Sequence, residues 1–197
     1  MFASVYDHFF IRFAGLFWRF RHLWDRNWTQ GYTSKEALEH PHRKMILEAV
    51  ARCEPFDTLL EYGCGPGANL SLLAEKYPEA AFVGLDISEV ALREAIKRPN
   101  ILYRKEWPSG FDFDIFLTDA SLIYCRNIQF TSRAIRRHCN AYIGCEWHSD
   151  NGPFIDEGHW VHNYRKLFPG CKITKIPKEV WPGGGWEKYG SIVEWKR

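Results

Sequence analysis

Leu59-Leu60-Glu61-Tyr62-Gly63-Cys64-Gly65-Pro66-Gly67-Ala68-Asn69 is the stretch that decides the fold. An apolar run from Asp57 ends in Gly63, as a buried parallel strand does when it meets a turn. Ala68 to Tyr77 then places Leu70, Leu73, Ala74 and Tyr77 on one helical face. Between strand and helix stand three glycines, which permit unusual backbone angles and let a ligand lie against the main chain. In open α/β sheets, ligands bind at the carboxyl ends of strands beside such turns.

Outward from this turn the alternation continues. Lys35 to Cys53 reads as a helix, with Pro41 either bending it or marking its start. Ala81 to Ile87 is a second strand, and Ser88 caps a helix running to about Arg98, before Pro99. Strands follow at about 101–105, 114–119 and 140–146, with helices at about 130–138 and 157–168. Trp160, Tyr164, Leu167 and Phe168 give the last helix its apolar face. Two strands, about 172–177 and 190–196, close the pattern around a loop containing Trp181-Pro182-Gly183-Gly184-Gly185-Trp186. Strand–helix alternation ending in paired strands predicts a mostly parallel sheet with an antiparallel hairpin at its edge.

The turn alone fits two ligands. Gly63, Gly65 and Ala68 satisfy the relaxed dinucleotide pattern, and Asp86, 19 residues after Gly67, suits ribose hydroxyls in either case. Glu61 separates them. A carboxylate two residues before the first glycine repels a pyrophosphate. It attracts the sulfonium and ammonium groups of S-adenosylmethionine by roughly a few kcal/mol in a partly buried site.

With Phe82-Val83-Gly84-Leu85-Asp86-Ile87-Ser88 downstream, this segment resembles the first two motifs of class I S-adenosylmethionine-dependent methyltransferases, in small, single-domain, type 11/12-like form. The likeness covers about 57–124 well and the rest in outline. It implies an α/β, Rossmann-like sheet of seven strands in the order 3-2-1-4-5-7-6, strand 7 antiparallel, with helices on both faces. By position, Glu61, Gly63, Cys64, Gly65, Gly67 and Asn69 are expected to hold the methionine half of the cofactor. Asp86 is expected to hold its ribose and Ile87 to pack on the adenine. Glu106 and Trp107 are the candidates for the adenine edge, although the connection into the fourth strand is short for the family. Asp119 and Ala120, in Asp112-Phe113-Asp114-Ile115-Phe116-Leu117-Thr118-Asp119-Ala120, resemble the fourth motif and face the methyl group or the substrate. The prolines and aromatic of enzymes that methylate exocyclic amines are missing there. The product of such a cofactor is S-adenosyl-L-homocysteine.

Methyl transfer is an in-line displacement that needs placement and sometimes a base. No catalytic residue is certain. Asp119, Glu146 and His148 are candidates, with Asp150 beside them, because neighbouring parallel strand ends open onto one cleft. Catechol-type O-methyltransferases hold magnesium with acids at similar places; the reading adopted has no metal. His159 and His162, three apart on the expected helix, are read as structural or exposed, and His40 and His42 as surface residues near the cofactor entrance. Trp28, Tyr32, Ser121 and Tyr124 are the expected substrate pocket, with Thr33 helping to close it.

Residues 1–34 form a separate aromatic segment before the domain at 35–197. His8, Arg12, Gly15, Arg19, His22 and Arg26 recur every three or four residues, a narrow polar stripe on an otherwise apolar helix. A lid over the cleft, a homodimer interface and an interfacial membrane helix all fit this pattern.

The 197 residues suffice for one domain with a core, and the formal charge of +2 gives no ground for a nucleic-acid partner. Arg133, Arg136 and Arg137 are too small a cluster to track phosphates. Six cysteines without C-x-x-C spacing suggest reduced thiols and a cytoplasmic setting. No secretory signal or membrane-spanning run is read. Few residues separate strands four, five and six, so an inserted recognition domain has no room. The expected function is methylation of a small, apolar or aromatic acceptor. The alternatives are a cofactor-binding, non-catalytic regulatory or assembly subunit, and a nicotinamide-dependent reductase.

Overall fold

The computed structural model describes residues 38–108 and 112–197. The aromatic segment, with Trp28, Tyr32 and Thr33, lies outside the described residues. The first described helix of more than one residue, α1 (His42–Ala51), begins at Pro41, which occupies its N-cap. Proline has no amide proton to lose there, so it starts the helix and does not bend it.

Then come β1 (Thr58–Tyr62), α2 (Ala68–Lys76), β2 (Ala81–Leu85), α3 (Glu89–Glu94), β3 (Ile101–Arg104) and β4 (Phe113–Asp119). A 3-10 turn at Leu122–Tyr124 leads to α4 (Gln129–His138) and β5 (Cys139–Trp147). The rest is β6 (Phe154–Asp156), β7 (His159–Val161), α5 (Tyr164–Leu167), β8 (Lys172–Lys175), α6 (Trp186–Tyr189) and β9 (Gly190–Lys196). The main sheet has seven strands in the order β3-β2-β1-β4-β5-β9-β8. Setting aside the small β6–β7 hairpin, this is the expected order. β1 to β5 pair in parallel, while β9 runs antiparallel to both β5 and β8.

Strand alternation sorts side chains to two faces. Leu59, Ile115, Leu117, Ala141, Ile143 and Ile192 join Ile46 and Val50 of α1 and Leu70 and Leu73 of α2 in one buried cluster. Leu60, Phe116, Tyr142 and Val193 meet Ile135 of α4 with Tyr164 and Phe168 in the other. Helices therefore cover both faces. At the far end from the turn, Asp114 accepts hydrogen bonds from the Asp57 and Thr58 amides at 2.9 and 3.0 Å, which fixes the register of β1 against β4.

Two expectations fail. The helix expected over 157–168 is instead the β6–β7 hairpin followed by the single turn of α5. Glu157 and Gly158 both have positive φ, 46° and 78°, as the two centres of a type I′ turn require. Trp160 thus lies on a strand, and His159 and His162 share no helix face. α3 ends at Glu94, not near Arg98, because Ala95 turns extended (ψ 142°). The freed Ile96 amide donates to Pro66 O at 2.9 Å, and the Tyr103 hydroxyl donates to Ile96 O at 2.9 Å. This segment supports the glycine turn from outside.

Candidate functional site

The glycine turn takes the backbone shape its composition allows. Gly63, Gly65 and Gly67 have φ of 71°, 53° and 80°. A Cβ on Gly63 would overlap Ser121 Oγ, and one on Gly67 the Tyr103 hydroxyl, so neither position has room for a side chain. Cys64 points away, since its sulfur fills the space where a Cβ on Gly84 would go. Of Cys64, only the backbone is available to a ligand. At the end of β2, the Asp86 carboxylate accepts from the Gly65 and Ser88 amides, each at 2.8 Å, and Asp86 and Ile87 are partly exposed.

Asn69, in the first turn of α2, joins β1 to β4. Its side-chain amide donates to Glu61 Oε1 at 2.7 Å and to Asp119 Oδ2 at 3.0 Å. Its carbonyl accepts from Arg43 Nη1 at 2.8 Å, and the same nitrogen donates to Asp119 Oδ2 at 3.2 Å. His42 Nε2 reaches that oxygen at 2.9 Å. The two carboxylates respond oppositely. Burial pushes Glu61 up to about 8, with its bond to Asn69 only partly opposing. Burial would also raise Asp119, but His42, Arg43 and Asn69 outweigh it and hold its carboxyl below the usual carboxylate range. One oxygen of each, Glu61 Oε2 and Asp119 Oδ1, is buried without a hydrogen-bond partner.

Beyond Asp119 the chain turns sharply. Ala120 holds a φ of 52°, uncommon for a residue with a side chain, and its amide donates to Cys145 O at 2.9 Å. Ser121 Oγ donates back to Asp119 O at 3.1 Å, and the Tyr124 ring stands edge-on to His159, centroids 5.1 Å apart. Glu106 and Trp107 line a cavity of about 440 Å³ with Arg104, Lys105 and Pro108. The Trp107 ring stacks on Phe116 at 5.6 Å, which ties it to the second core cluster.

Asp119 and Glu146 do not share a cleft. Asp119 pairs in register with Cys145, so Glu146, one residue on, faces the other side of the sheet. There its carboxylate accepts from the amides of Ser121, Leu122 and Ile123 at 3.1, 3.1 and 3.2 Å, binding the 3-10 turn as an anion at its start. Burial raises it to about 7 against those donors. His148 is also occupied: Nδ1 accepts from the Tyr164 amide at 3.2 Å and Nε2 pairs with Asp150 at 3.3 Å. His162 Nε2 lies 2.9 Å from Cys125 O, a scaffold contact. Glu146 thus supports the loop after β4, His148 ties the end of β5 to α5, and neither is an exposed base. His42, read as a surface residue, is 3% exposed and in contact with Asp119. No local sequence signal links positions 77 residues apart.

His42, Asp119 and Cys145 bring their polar atoms within 4.8 Å of one another. Arg43 already donates to the shared Asp119 oxygen, so this is a hydrogen-bonded set and no metal is assigned to it. The two orphan carboxylate oxygens beside the glycine turn fit a cationic ligand such as S-adenosylmethionine. All six cysteines are free thiols. Among the described residues, no helix is long and apolar enough to cross a membrane.

Comparison with known proteins gives the same picture. Residues 55–107 match the family described as "Methyltransferase domain". The chain is 31% identical over 94 residues to trans-aconitate 2-methyltransferase of Acidovorax sp. (strain JS42), covering 44% of this chain and 36% of that protein. It thus spans little more than a third of that relative's length. The complex between the Haloferax volcanii Trm112 methyltransferase activator and the putative methyltransferase superposes with a TM-score of 0.64 at 17% identity, covering 86% of this chain and 95% of that one. The plantazolicin methyltransferase BpumL, in complex with a monoazolic desmethylPZN analog and SAH, gives 0.61 at 14% identity, covering 87% and 90%. The glycine turn and β2 lie inside the matched stretch, and the sheet order is the one that the resemblance to class I methyltransferases implies.

Proposed function

We propose that the chain is an S-adenosylmethionine-dependent methyltransferase acting on a small acceptor with apolar or aromatic surface. The observation that carries this reading is the pair of buried, partnerless oxygens, Glu61 Oε2 and Asp119 Oδ1, beside the glycine turn. Buried polar atoms are nearly always satisfied, and a ligand bearing ammonium and sulfonium groups is the partner that suits two carboxylates. A structural relative holding S-adenosylhomocysteine supports the same cofactor. When bound, the cofactor supplies an electrophilic methyl group.

This chain's own residues then bind and orient. Glu61, Asn69 and the backbone of Gly63, Cys64, Gly65 and Gly67 take the methionine half. Asp86, fixed by the Gly65 and Ser88 amides at the end of β2, takes the ribose hydroxyls. Ile87 lies under the adenine, whose edge points to the cavity lined by Glu106 and Trp107. Asp119, Ala120, Ser121 and Tyr124 border the reacting centre. The β4–β5 connection holds one 3-10 turn and α4, and the β5–β8 connection only a hairpin and α5. Such short connections suit a small molecule. The test is calorimetric titration with S-adenosylhomocysteine. We expect micromolar binding that Asp86→Ala weakens about tenfold, as loss of a charge-assisted bond should. No binding by the unaltered protein would overturn the proposal.

A further inference from the structure

One arrangement at the site takes no part in holding the cofactor. Asp119 Oδ2 meets His42 Nε2 at 2.9 Å, and the other nitrogen of that ring, Nδ1, lies 2.6 Å from His40 Nδ1. Three titratable groups therefore stand in a line running from the end of β4 outward. Two imidazole lone pairs at 2.6 Å repel, so one proton must lie between the two Nδ1 atoms. Asp119 is ionised, so His42 Nε2 carries the proton that it donates to the carboxylate. When the shared proton sits on His40 Nδ1, both imidazoles are neutral and His40 Nε2 holds a lone pair.

The surroundings are built to keep these rings in place. His42 is buried, and the Trp181 ring lies 4.4 Å from it and 4.7 Å from His40. Trp181 is in turn stacked on Trp186, centroids 3.8 Å apart and 6° from parallel. His40 is only half-buried and lines a cavity of about 180 Å³ with Leu38, Pro41, Leu47 and Leu72 and the charged Glu39, Arg43 and Lys44. The line thus ends at an imidazole beside a space with both apolar and charged walls.

We propose that Asp119, His42 and His40 form a proton relay in which His40 Nε2 takes the proton that a neutral acceptor must lose on methylation, with His42 and Asp119 as its positioning residues. The inference rests on the methyltransferase reading. It narrows the acceptor to a hydroxyl, thiol or amine, because a carboxylate has no proton to give at neutral pH. In the step itself, the X–H bond of the acceptor breaks, its electron pair stays on X, and an Nε2–H bond forms on His40. The Nδ1 proton of His40 passes to His42 Nδ1. The positive charge then rests on His42, against the Asp119 carboxylate. Burial, then His42 and Arg43, lower the His40 pKa while Asp119 opposes them, which keeps the ring unprotonated and its lone pair available at neutral pH.

Imidazole titration by NMR on the full chain tests this without any acceptor, in the presence and absence of S-adenosylhomocysteine. His40 should show two inflections about a pH unit or more apart, as a site interacting with a second imidazole does. In His42→Gln, His40 should titrate in one step. Diethyl pyrocarbonate should carbethoxylate His40 and spare His42. Independent single-step curves in the unaltered protein, or an unreactive His40, would overturn the relay. Failure to bind S-adenosylhomocysteine with coupled histidines would instead overturn the methyltransferase reading and leave the relay standing.

Discussion

Glu61 on β1 and Glu146 on β5 are 1% and 0% exposed, yet their oxygens are treated differently. Glu146 spends both oxygens on three backbone amides of the loop after β4. Glu61 has one bond, to Asn69, and an oxygen with none. Burial raises both above the ordinary carboxylate value, to about 8 for Glu61 and about 7 for Glu146. An altered pKa by itself therefore does not separate a binding group from a scaffold group; the count of donors does. A buried carboxylate saturated by amides fixes the shape of the chain, while one with a bare oxygen awaits a cation.

The largest test of this contrast is Glu146→Ala. It should cost about 3 kcal/mol or more in urea unfolding, because three amides lose their acceptor. A loss below about 1 kcal/mol would mean that the loop holds itself without the glutamate. Glu61→Gln should do the reverse. Its stability should match or exceed the unaltered protein's, while S-adenosylhomocysteine binds about thirtyfold more weakly for want of roughly 2 kcal/mol of charge attraction. Equal affinity in calorimetry would remove Glu61 from the site.

The third test is pH. Glu61 stays protonated in the folded protein up to about 8, whereas in the unfolded chain it ionises near 4.5. The folded state holds the extra proton, so this group's contribution to stability falls as pH rises from 4.5 to 8. Binding a cation favours the ionised form. Affinity should therefore climb with pH, by up to about tenfold per unit, and level off above 8, with proton release visible in buffers of different ionisation enthalpy. A flat profile would show Glu61 already charged. The smallest effect is expected from Gly184→Ala. Its φ of 56° with open space around a Cβ predicts a loss of about 1 kcal/mol, with S-adenosylhomocysteine affinity unchanged.

The sheet was legible because its signals are local. Strand, glycine turn and helix at 58–76 follow from consecutive residues, and the acid that closes β2 lies close by. The hairpin at 154–161 was not. Trp160, Tyr164, Leu167 and Phe168 fall at helical spacing by coincidence, and Gly158, at the centre of the turn, was the contrary sign. At the site, Glu61, Asn69, Asp86 and Asp119 could be named from motif positions. Glu146 was named for the wrong task, since only register decides which face of β5 it occupies. His42 had no sequence signal at all; its link to Asp119 exists because α1 packs across the carboxyl end of β4.

The position of β9 bears on the order in which this protein assembles. β8 precedes it in the chain, yet among the described strands β8 pairs only with β9, and β9 reaches the sheet only through β5, about fifty residues earlier. Its described partner is not yet in the chain while the ribosome is making β8. The half of the sheet around β1 can form from neighbours, but this edge must wait for one long-range closure. Such distant pairings are what make folding slow. Weakening Ile192 or Val193 should therefore retard refolding more than an equal loss in α2.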